Sequence, residues 1–372
     1  MVDVDGGRHY LDHASTSPLR PEAHEAMEQW RGAADPSRVH TEGRMARAAL
    51  ENARAQVADL FQVRPRQVVL TSGGTEAINA AVYGVMTSRP GRIVFSGVEH
   101  SAVTASSAVY PHGVVPVDSV GRSDVEALEQ ELSAGDVTLV HCQWANHEVG
   151  TRQPVESVIE VSHAAGALVH IDASAAVGHD PVQLGGADLL SFSGHKFGAP
   201  AGTGGLVLAS GLRIDSLLRG GAQERGRRAG MENVAAAVGL GAAAEVLSRS
   251  REDEARRARQ QMEGLARLCL AVEGVTRYGD PVDCLPHLLC LGVAGVEAEG
   301  VLIGLDQAGV AAHSGSSCSS EDLEPSPVLE AMGVDAEHSL RFSVGWNTTD
   351  ADMAAAGAAF VAAVARLRAL SA

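Results

Sequence analysis

Lysine is almost absent from this chain of 372 residues: 28 of its 29 basic residues are arginine, and Lys196 is the exception. Cysteine is scarce as well. The five present, Cys142, Cys269, Cys284, Cys290 and Cys318, are odd in number, scattered and without a Cys-x-x-Cys pair, which excludes a small disulfide framework and points to reduced thiols. No apolar run approaches the roughly 20 residues a membrane-spanning helix needs. The opening Met1-Val2-Asp3-Val4-Asp5 lacks the basic and apolar stretches of a secretory leader, so a cytoplasmic location is expected. Positive charge is in deficit: 29 basic against 46 acidic residues leave −17 with histidine neutral. That balance repels phosphate backbones and anionic bilayers, so neither direct nucleic-acid binding nor membrane attachment is expected. Repeats at solenoid periods are missing, as are the Walker spacing and a Gly-x-Gly-x-x-Gly turn, which argues against a nucleotide.

What is present is ordinary globular material, 45% hydrophobic and 20% charged, long enough for two or three domains or one large one. Short apolar runs alternate with helix-like stretches over the first two thirds, the pattern of an α/β fold with a mainly parallel sheet covered on both faces. Strands are expected at Gln67–Leu70, Arg92–Phe95, Val137–His141, Ala167–Ile171, Leu189–Phe192 and Gly205–Leu208, and helices at Arg44–Leu60, Glu76–Val85, Ser123–Leu132, Val155–Ala165 and Glu232–Ser248. Near Ser250 the texture changes to a charged helix, and a boundary is expected there. Beyond it, strands at Leu285–Val293 and Ser339–Val344 and a terminal helix at Ala351–Leu370 suggest a smaller α+β unit.

Three weak signals fall at one sheet edge. Thr71-Ser72-Gly73-Gly74-Thr75-Glu76 follows a strand and opens a helix, a layout that aims backbone N–H groups at an anion, although a glycine turn is more often plain punctuation. Asp172 follows the strand that ends Val169-His170-Ile171; it suits a cationic ring nitrogen and equally suits a helix cap. Ser191-Phe192-Ser193-Gly194-His195-Lys196 follows another strand and brings the lone amine to the same edge. Lysine, unlike arginine, can shed its proton and attack a carbonyl. Anion cup, carboxylate and amine together match the needs of pyridoxal phosphate.

At this point the sequence resembles the cysteine desulfurases, within the class V aminotransferase-like pyridoxal-phosphate enzymes. The resemblance covers nearly the whole chain. It is carried by Tyr10-Leu11-Asp12-His13-Ala14-Ser15-Thr16-Ser17-Pro18, the Thr71–Glu76 turn, Glu99-His100, Asn146-His147-Glu148-Val149-Gly150, the Asp172 segment and Ser193-Gly194-His195-Lys196. It continues in Gly220-Gly221-Ala222-Gln223-Glu224-Arg225-Gly226, Ser314-Gly315-Ser316-Ser317-Cys318 and Leu340-Arg341-Phe342-Ser343. It implies the type I fold of pyridoxal-phosphate transferases, with a large mainly parallel-sheet domain over 14–250 and a small α+β domain over 1–13 and 251–372 that carries the Cys318 loop. It implies a homodimer, pyridoxal 5'-phosphate, L-cysteine as substrate and a sulfur-acceptor protein.

The residue roles it implies are these. Lys196 holds the cofactor as a Schiff base and removes the substrate's α-proton; Asp172 bonds the ring nitrogen; His100 stacks on the ring. Gly74, Thr75, Ser193 and His195 surround the phosphate, Asn146 lies near the ring hydroxyl and substrate, and Arg341 grips the substrate carboxylate. Cys318 sits among small and polar residues that suit an exposed loop, where it would take sulfur as a persulfide and leave alanine. A thiol with a pKa near 8.5 is only about 3% ionised at neutral pH, so a proton acceptor must help it, and His100 is the expected helper. Ala175 stands where the family usually has a glutamine for the ring hydroxyl. Met231 stands where it usually has a threonine that reaches the partner's phosphate, and His147 and His13 also depart from the usual residues. Weaker cofactor retention follows as an expectation. A related pyridoxal-phosphate lyase such as a selenocysteine lyase, or a weakly catalytic sulfur-trafficking paralogue, is the alternative.

Two other groupings compete for attention. Cys284-x-x-His287-x-x-Cys290 has a metal-like spacing but no fourth ligand, so core packing is expected and no metal. The cluster Arg225, Arg227 and Arg228 is expected to serve the cofactor side or a subunit contact.

Overall fold

A computed structural model of the chain describes residues 7–314 and 325–371. In chain order its strands are β1 (His9–Tyr10), β2 (Val68–Thr71), β3 (Arg92–Ser96), β4 (His112–Val115), β5 (Val137–Gln143), β6 (Leu168–Asp172), β7 (Leu189–Ser193), β8 (Gly204–Leu208), β9 (Val275–Tyr278), β10 (Leu288–Val293), β11 (Val310–Ala311), β12 (His313–Ser314) and β13 (Ser339–Ser343). Its helices are α1 (Pro21–Glu28), α2 (Thr41–Leu60), α3 (Gly74–Ser88), α4 (Ser101–Ser107), α5 (Val125–Ser133), α6 (Val155–Ala164), α7 (Val234–Leu270), α8 (Ala298–Gln307), α9 (Pro327–Ala331) and α10 (Asp350–Ser371).

Seven strands form the main sheet in the order β2-β8-β7-β6-β5-β3-β4. It is mainly parallel, with β8 reversed against both β2 and β7. Because β2 and β7 therefore run the same way, the carboxyl ends of β2, β7, β6 and β5 share one edge, the edge where open α/β sheets bind ligands. One face is covered by Ala77, Ile78, Ala81, Val82 and Val85 of α3. The other packs Val140, Val169 and Ile171 against Val158 and Ile159 of α6. Burial on both faces is why these strands show no polar alternation.

A second, antiparallel sheet runs β12-β13-β10-β9. Its core joins Phe342 and Leu291 to Met262 and Leu265 of α7, Val301 and Leu305 of α8, and Phe360 of α10. The first described residues belong to this part too: β1 pairs with β11, and Asp12 bridges Ser343. Around Ser250, where the sequence suggests one helix ending and another beginning, α7 runs unbroken. Leu240, Ala243 and Leu247 lie in the core of the main sheet, and Met262, Leu265 and Cys269 in that of the second. The Arg-, Glu- and Ala-rich stretch between them has high helix propensity and carries no glycine or proline to stop the helix.

Candidate active site

The residues singled out from the sequence meet at the shared edge, around a cavity of about 620 Å3. Gly74, Thr75, His100, Asp172, Ser193, His195, Lys196 and Arg341 all line it. β2 delivers the anion cup. Gly73 takes φ 155° and ψ −178°, a conformation essentially reserved for glycine, and α3 starts immediately after it. A side chain at Gly74 would place its Cβ 2.7 Å from Ser174 Oγ, so glycine leaves room for the hydroxyl that holds Asp172.

β6 ends on Asp172, which is buried. Its Oδ1 accepts from Ser174 Oγ at 2.7 Å, from Ser191 Oγ at 2.9 Å and from the Ser174 backbone N–H at 3.1 Å. Three donors on one oxygen fix the carboxylate's plane and leave Oδ2 as the oxygen for a cationic partner. Ser191 pairs with Asp172 across β6 and β7. The short helical turn Gly194–Phe197 after β7 then carries His195 and Lys196. An anion cup, an oriented carboxylate and the chain's one lysine fit pyridoxal phosphate, and Gly74, Thr75, Asp172, Ser193, His195 and Lys196 are the residues present to hold it.

His100 is the N-cap of α4: its Nδ1 accepts the Ala102 N–H at 3.0 Å. Burial, with help from Lys196, holds its pKa below the usual imidazole value, so the ring is neutral near pH 7 and its proton sits on Nε2. In this pose the Nε2–H of His100 can donate a hydrogen bond. The acceptor role expected of it toward Cys318 requires it first to release Ala102.

Arg341 reaches the cavity from β13 and is buried. Its Nη2 donates to Asp12 Oδ1 and to Ser15 Oγ, both at 3.0 Å, and its Nη1 donates to the His147 carbonyl oxygen at 3.1 Å. Ser15 Oγ in turn donates to Asp12 Oδ1 at 2.9 Å. The guanidinium thus already has a carboxylate partner from the amino-terminal segment.

Asn146 is the exception among the expected site residues. Its Oδ1 accepts from the Glu148 and Val149 N–H groups at 2.8 and 2.9 Å, and its Nδ2 donates to the Val98 carbonyl oxygen at 3.2 Å. The side chain is fully buried and shapes the turn behind the cavity wall, which Gln143, Ala145 and His147 line instead. Cys318 lies outside the described residues. Ala175 lines the cavity, whereas Met231 is 61% exposed and lies apart from it. Residues 284–290 serve packing: Cys290 joins Val98, Val149 and Leu329 in a buried cluster, and His287 stacks on His179 at 3.4 Å.

Several contributors gave little warning in the sequence. Ser174, Ser191, Asp12 and Ser15 hold the charged groups in place, and Glu99 Oε1 accepts the Gln143 N–H at 2.8 Å. Burial pushes the Glu99 carboxyl up to about 8, so it is protonated at neutral pH. For Ser191 the signal was a polar residue in a strand that otherwise reads Leu-Leu and Phe-Ser; Asp12, Ser15 and Glu99 lay within the motifs that carry the resemblance, with nothing to say what they bind.

The family model for class-V aminotransferases matches residues 9–355. A curated protein from Cereibacter sphaeroides named cysteine desulfurase is 41% identical over 98% of this chain and 97% of its own length. One from Gluconacetobacter diazotrophicus with the same name is 39% identical, covering 97% and 94%. A solved NifS-like protein superposes with a TM-score of 0.90 at 29% identity, over 97% of this chain and all of that one.

Proposed function

Because this chain belongs to the class-V aminotransferase family and is a cysteine desulfurase, we propose that Lys196 is the amine that carries pyridoxal 5'-phosphate and then takes the proton from the substrate's α-carbon. The family implies that cofactor, and when bound it supplies an electron sink that makes the α-proton removable. The carriage of an amine, an oriented carboxylate and a glycine-made anion cup on one sheet edge is the observation that supports the assignment. Asp172, its Oδ1 tied down by Ser174 and Ser191, keeps a negative Oδ2 ready for a protonated ring nitrogen. Gly74, Thr75, Ser193 and His195 hold the phosphate, and Arg341 receives the carboxylate of L-cysteine as its Nη2 gives up Asp12 and Ser15.

His100 stacks on the ring, where its Nε2–H can donate a hydrogen bond, and once Nδ1 releases the Ala102 N–H it accepts the proton of the Cys318 thiol. Cys318 takes the substrate sulfur: its thiolate bonds to that sulfur, the carbon–sulfur bond breaks, and a persulfide stays on the protein for an acceptor thiol. The same proposal includes a homodimer acting in the cytoplasm and an acceptor protein for the persulfide, a chemistry that suits a reducing compartment. The buried free thiols Cys142, Cys269, Cys284 and Cys290 agree with such a compartment.

The test is alanine and sulfide formation from L-cysteine, with and without added pyridoxal phosphate. Borohydride reduction of the loaded protein is expected to label Lys196, and an unlabelled Lys196 refutes the assignment. Cys318→Ala is expected to abolish transfer of sulfur to a thiol acceptor; sulfide release at the undiminished rate rules out the persulfide route.

A further inference from the structure

The arginine cluster beside the cavity separates into three unlike residues. Arg227 spends its guanidinium on backbone, donating to the carbonyl oxygens of Glu224 at 3.0 Å, Arg66 at 2.9 Å and Val68 at 3.3 Å. Arg225 is largely exposed, with Glu51 at 3.8 Å. Arg228 alone turns to the anion cup: its Nε donates to Glu76 Oε1 at 2.9 Å and its Nη2 to Glu76 Oε2 at 3.3 Å. Glu76 lines the cavity, and its Oε2 also accepts the Ser72 N–H at 2.8 Å.

This arrangement contains a conflict. Glu76 lies in the first turn of α3, where a carboxylate is favoured by the helix dipole. The same turn is where a phosphate dianion would settle, and like charges at one helix end repel. Glu76 also removes one backbone N–H, that of Ser72, from the set the cup can offer. Its side chain is 13% exposed and that of Arg228 26%, so solvent screens the pair incompletely. Although burial pushes its carboxyl up, the bonds from Arg228 and Ser72 hold it below the usual glutamate value, and it stays charged at neutral pH.

We propose that Arg228 is a positioning residue of the phosphate site: it neutralises Glu76 and pins that carboxylate back on Ser72, so that α3 presents an uncontested positive end to the cofactor's phosphate. The inference rests on the reading of this cavity as a pyridoxal-phosphate site. Arg228 touches neither substrate nor cofactor in this role and acts through Glu76. The class of ligand it governs is set by charge, so it should discriminate a phosphorylated from an unphosphorylated pyridoxal.

The experiment is an equilibrium titration of cofactor-stripped full-length protein with pyridoxal phosphate and, separately, with pyridoxal, followed by visible absorption and intrinsic tryptophan fluorescence. Arg228→Gln is expected to weaken pyridoxal phosphate about tenfold, or about 1.4 kcal/mol, and to leave pyridoxal unchanged. Adding Glu76→Gln to that variant should restore most of the lost affinity, since the charge that needed neutralising is gone. Equal loss for both aldehydes, no loss for either, or no recovery in the double variant overturns the inference. Wild-type protein that takes up neither aldehyde at Lys196 refutes the underlying cofactor assignment instead, and the two failures are told apart by that wild-type arm.

Discussion

Arg341, proposed to receive the substrate carboxylate, already holds that of Asp12, and replacing Asp12 by asparagine exposes what that contact does. The change keeps size and leaves an Oδ1 that can still accept from Ser15 and Arg341; only the charge is lost. Asp12 is the one carboxylate within ion-pair distance of Arg341 among the described residues, at 3.0 Å, with side-chain exposures of 4% for Arg341 and 19% for Asp12. Stripping one partner from a buried pair costs about 3–5 kcal/mol. Asp12 retains enough solvent contact to place this case near or below the low end, at about 2 kcal/mol.

That cost falls on the ligand-free protein and is relieved when a ligand carboxylate arrives as the new counter-ion. If about two thirds is recovered, binding of a carboxylate ligand tightens about tenfold. The assay is titration of cofactor-loaded enzyme with the product L-alanine, read by absorption and by its inhibition constant against L-cysteine, with alaninamide as the ligand that lacks the charge. Asp12→Asn should bind L-alanine more tightly, leave alaninamide where it was, and melt about 2–3 °C lower when ligand-free. L-Alanine binding that is unchanged or weaker refutes the reasoning, because Arg341 would then not be the group that Asp12 shields from substrate.

Restoring the usual glutamine by Ala175→Gln should tighten pyridoxal phosphate about three- to tenfold, the value of one net hydrogen bond, as measured by the same titration; an unchanged constant means the cavity does not bring position 175 to the ring hydroxyl. Glu224 is buried, and its two oxygens bind Arg54 at 2.5 and 2.7 Å while Oε2 also takes the Leu70 N–H at 3.0 Å. Glu224→Gln leaves Arg54 only the more exposed Glu51, at 3.3 Å, as a counter-ion and should lower stability by about 2–4 kcal/mol, a fall in Tm of about 3–5 °C for a chain of 372 residues by scanning calorimetry. His13 has its pKa pushed down to about 4 by burial. Between pH 6.5 and 4 the unfolded chain therefore protonates this imidazole while the folded one does not, and stability falls as pH falls, by up to about 1.4 kcal/mol per pH unit. The Tm advantage of His13→Asn over wild type, whatever its size at pH 7, should grow as pH is lowered through that window; a pH-independent difference contradicts it.

The fold's main features could be read from the chain because buried parallel strands advertise themselves as apolar runs and because glycine turns mark their ends. Lys196 and Asp172 were legible for the same reason: each follows such a run, so their common edge was implied before any contact was known. β4 was not, being a short and largely exposed edge strand whose His112-Gly113 start carries no strand signature. The continuity of α7 was hidden because its buried face changes partner midway, from an alanine-rich contact to an amphipathic one. Asn146 shows a limit of a different kind. The same amide can face a ligand or close a turn, and only three-dimensional contact tells that its bonds go to Val98, Glu148 and Val149. The Arg341–Asp12 pair spans 329 positions, and nothing local in either segment announces the other.

The departures at Ala175 and Met231 bear on retention of the cofactor more than on its chemistry. Each removes a hydrogen bond, the one at position 175 worth about 0.5–1.5 kcal/mol and the one at position 231, to a charged phosphate, about twice that, whereas the groups proposed to act on the substrate are present: the amine of Lys196, the Asp172 carboxylate held by three donors, and the Arg341 fork. Charge-assisted contacts are roughly twice as strong as neutral ones, so the bond missing at position 231 should weaken retention more than the one missing at position 175. The expected consequence is a dependence on supplied pyridoxal phosphate steeper than that of a chain with both bonds, and a saturating rate that does not change when they are restored. A saturating rate that rises when glutamine is put back at position 175 would place that bond in the chemical step and overturn the division.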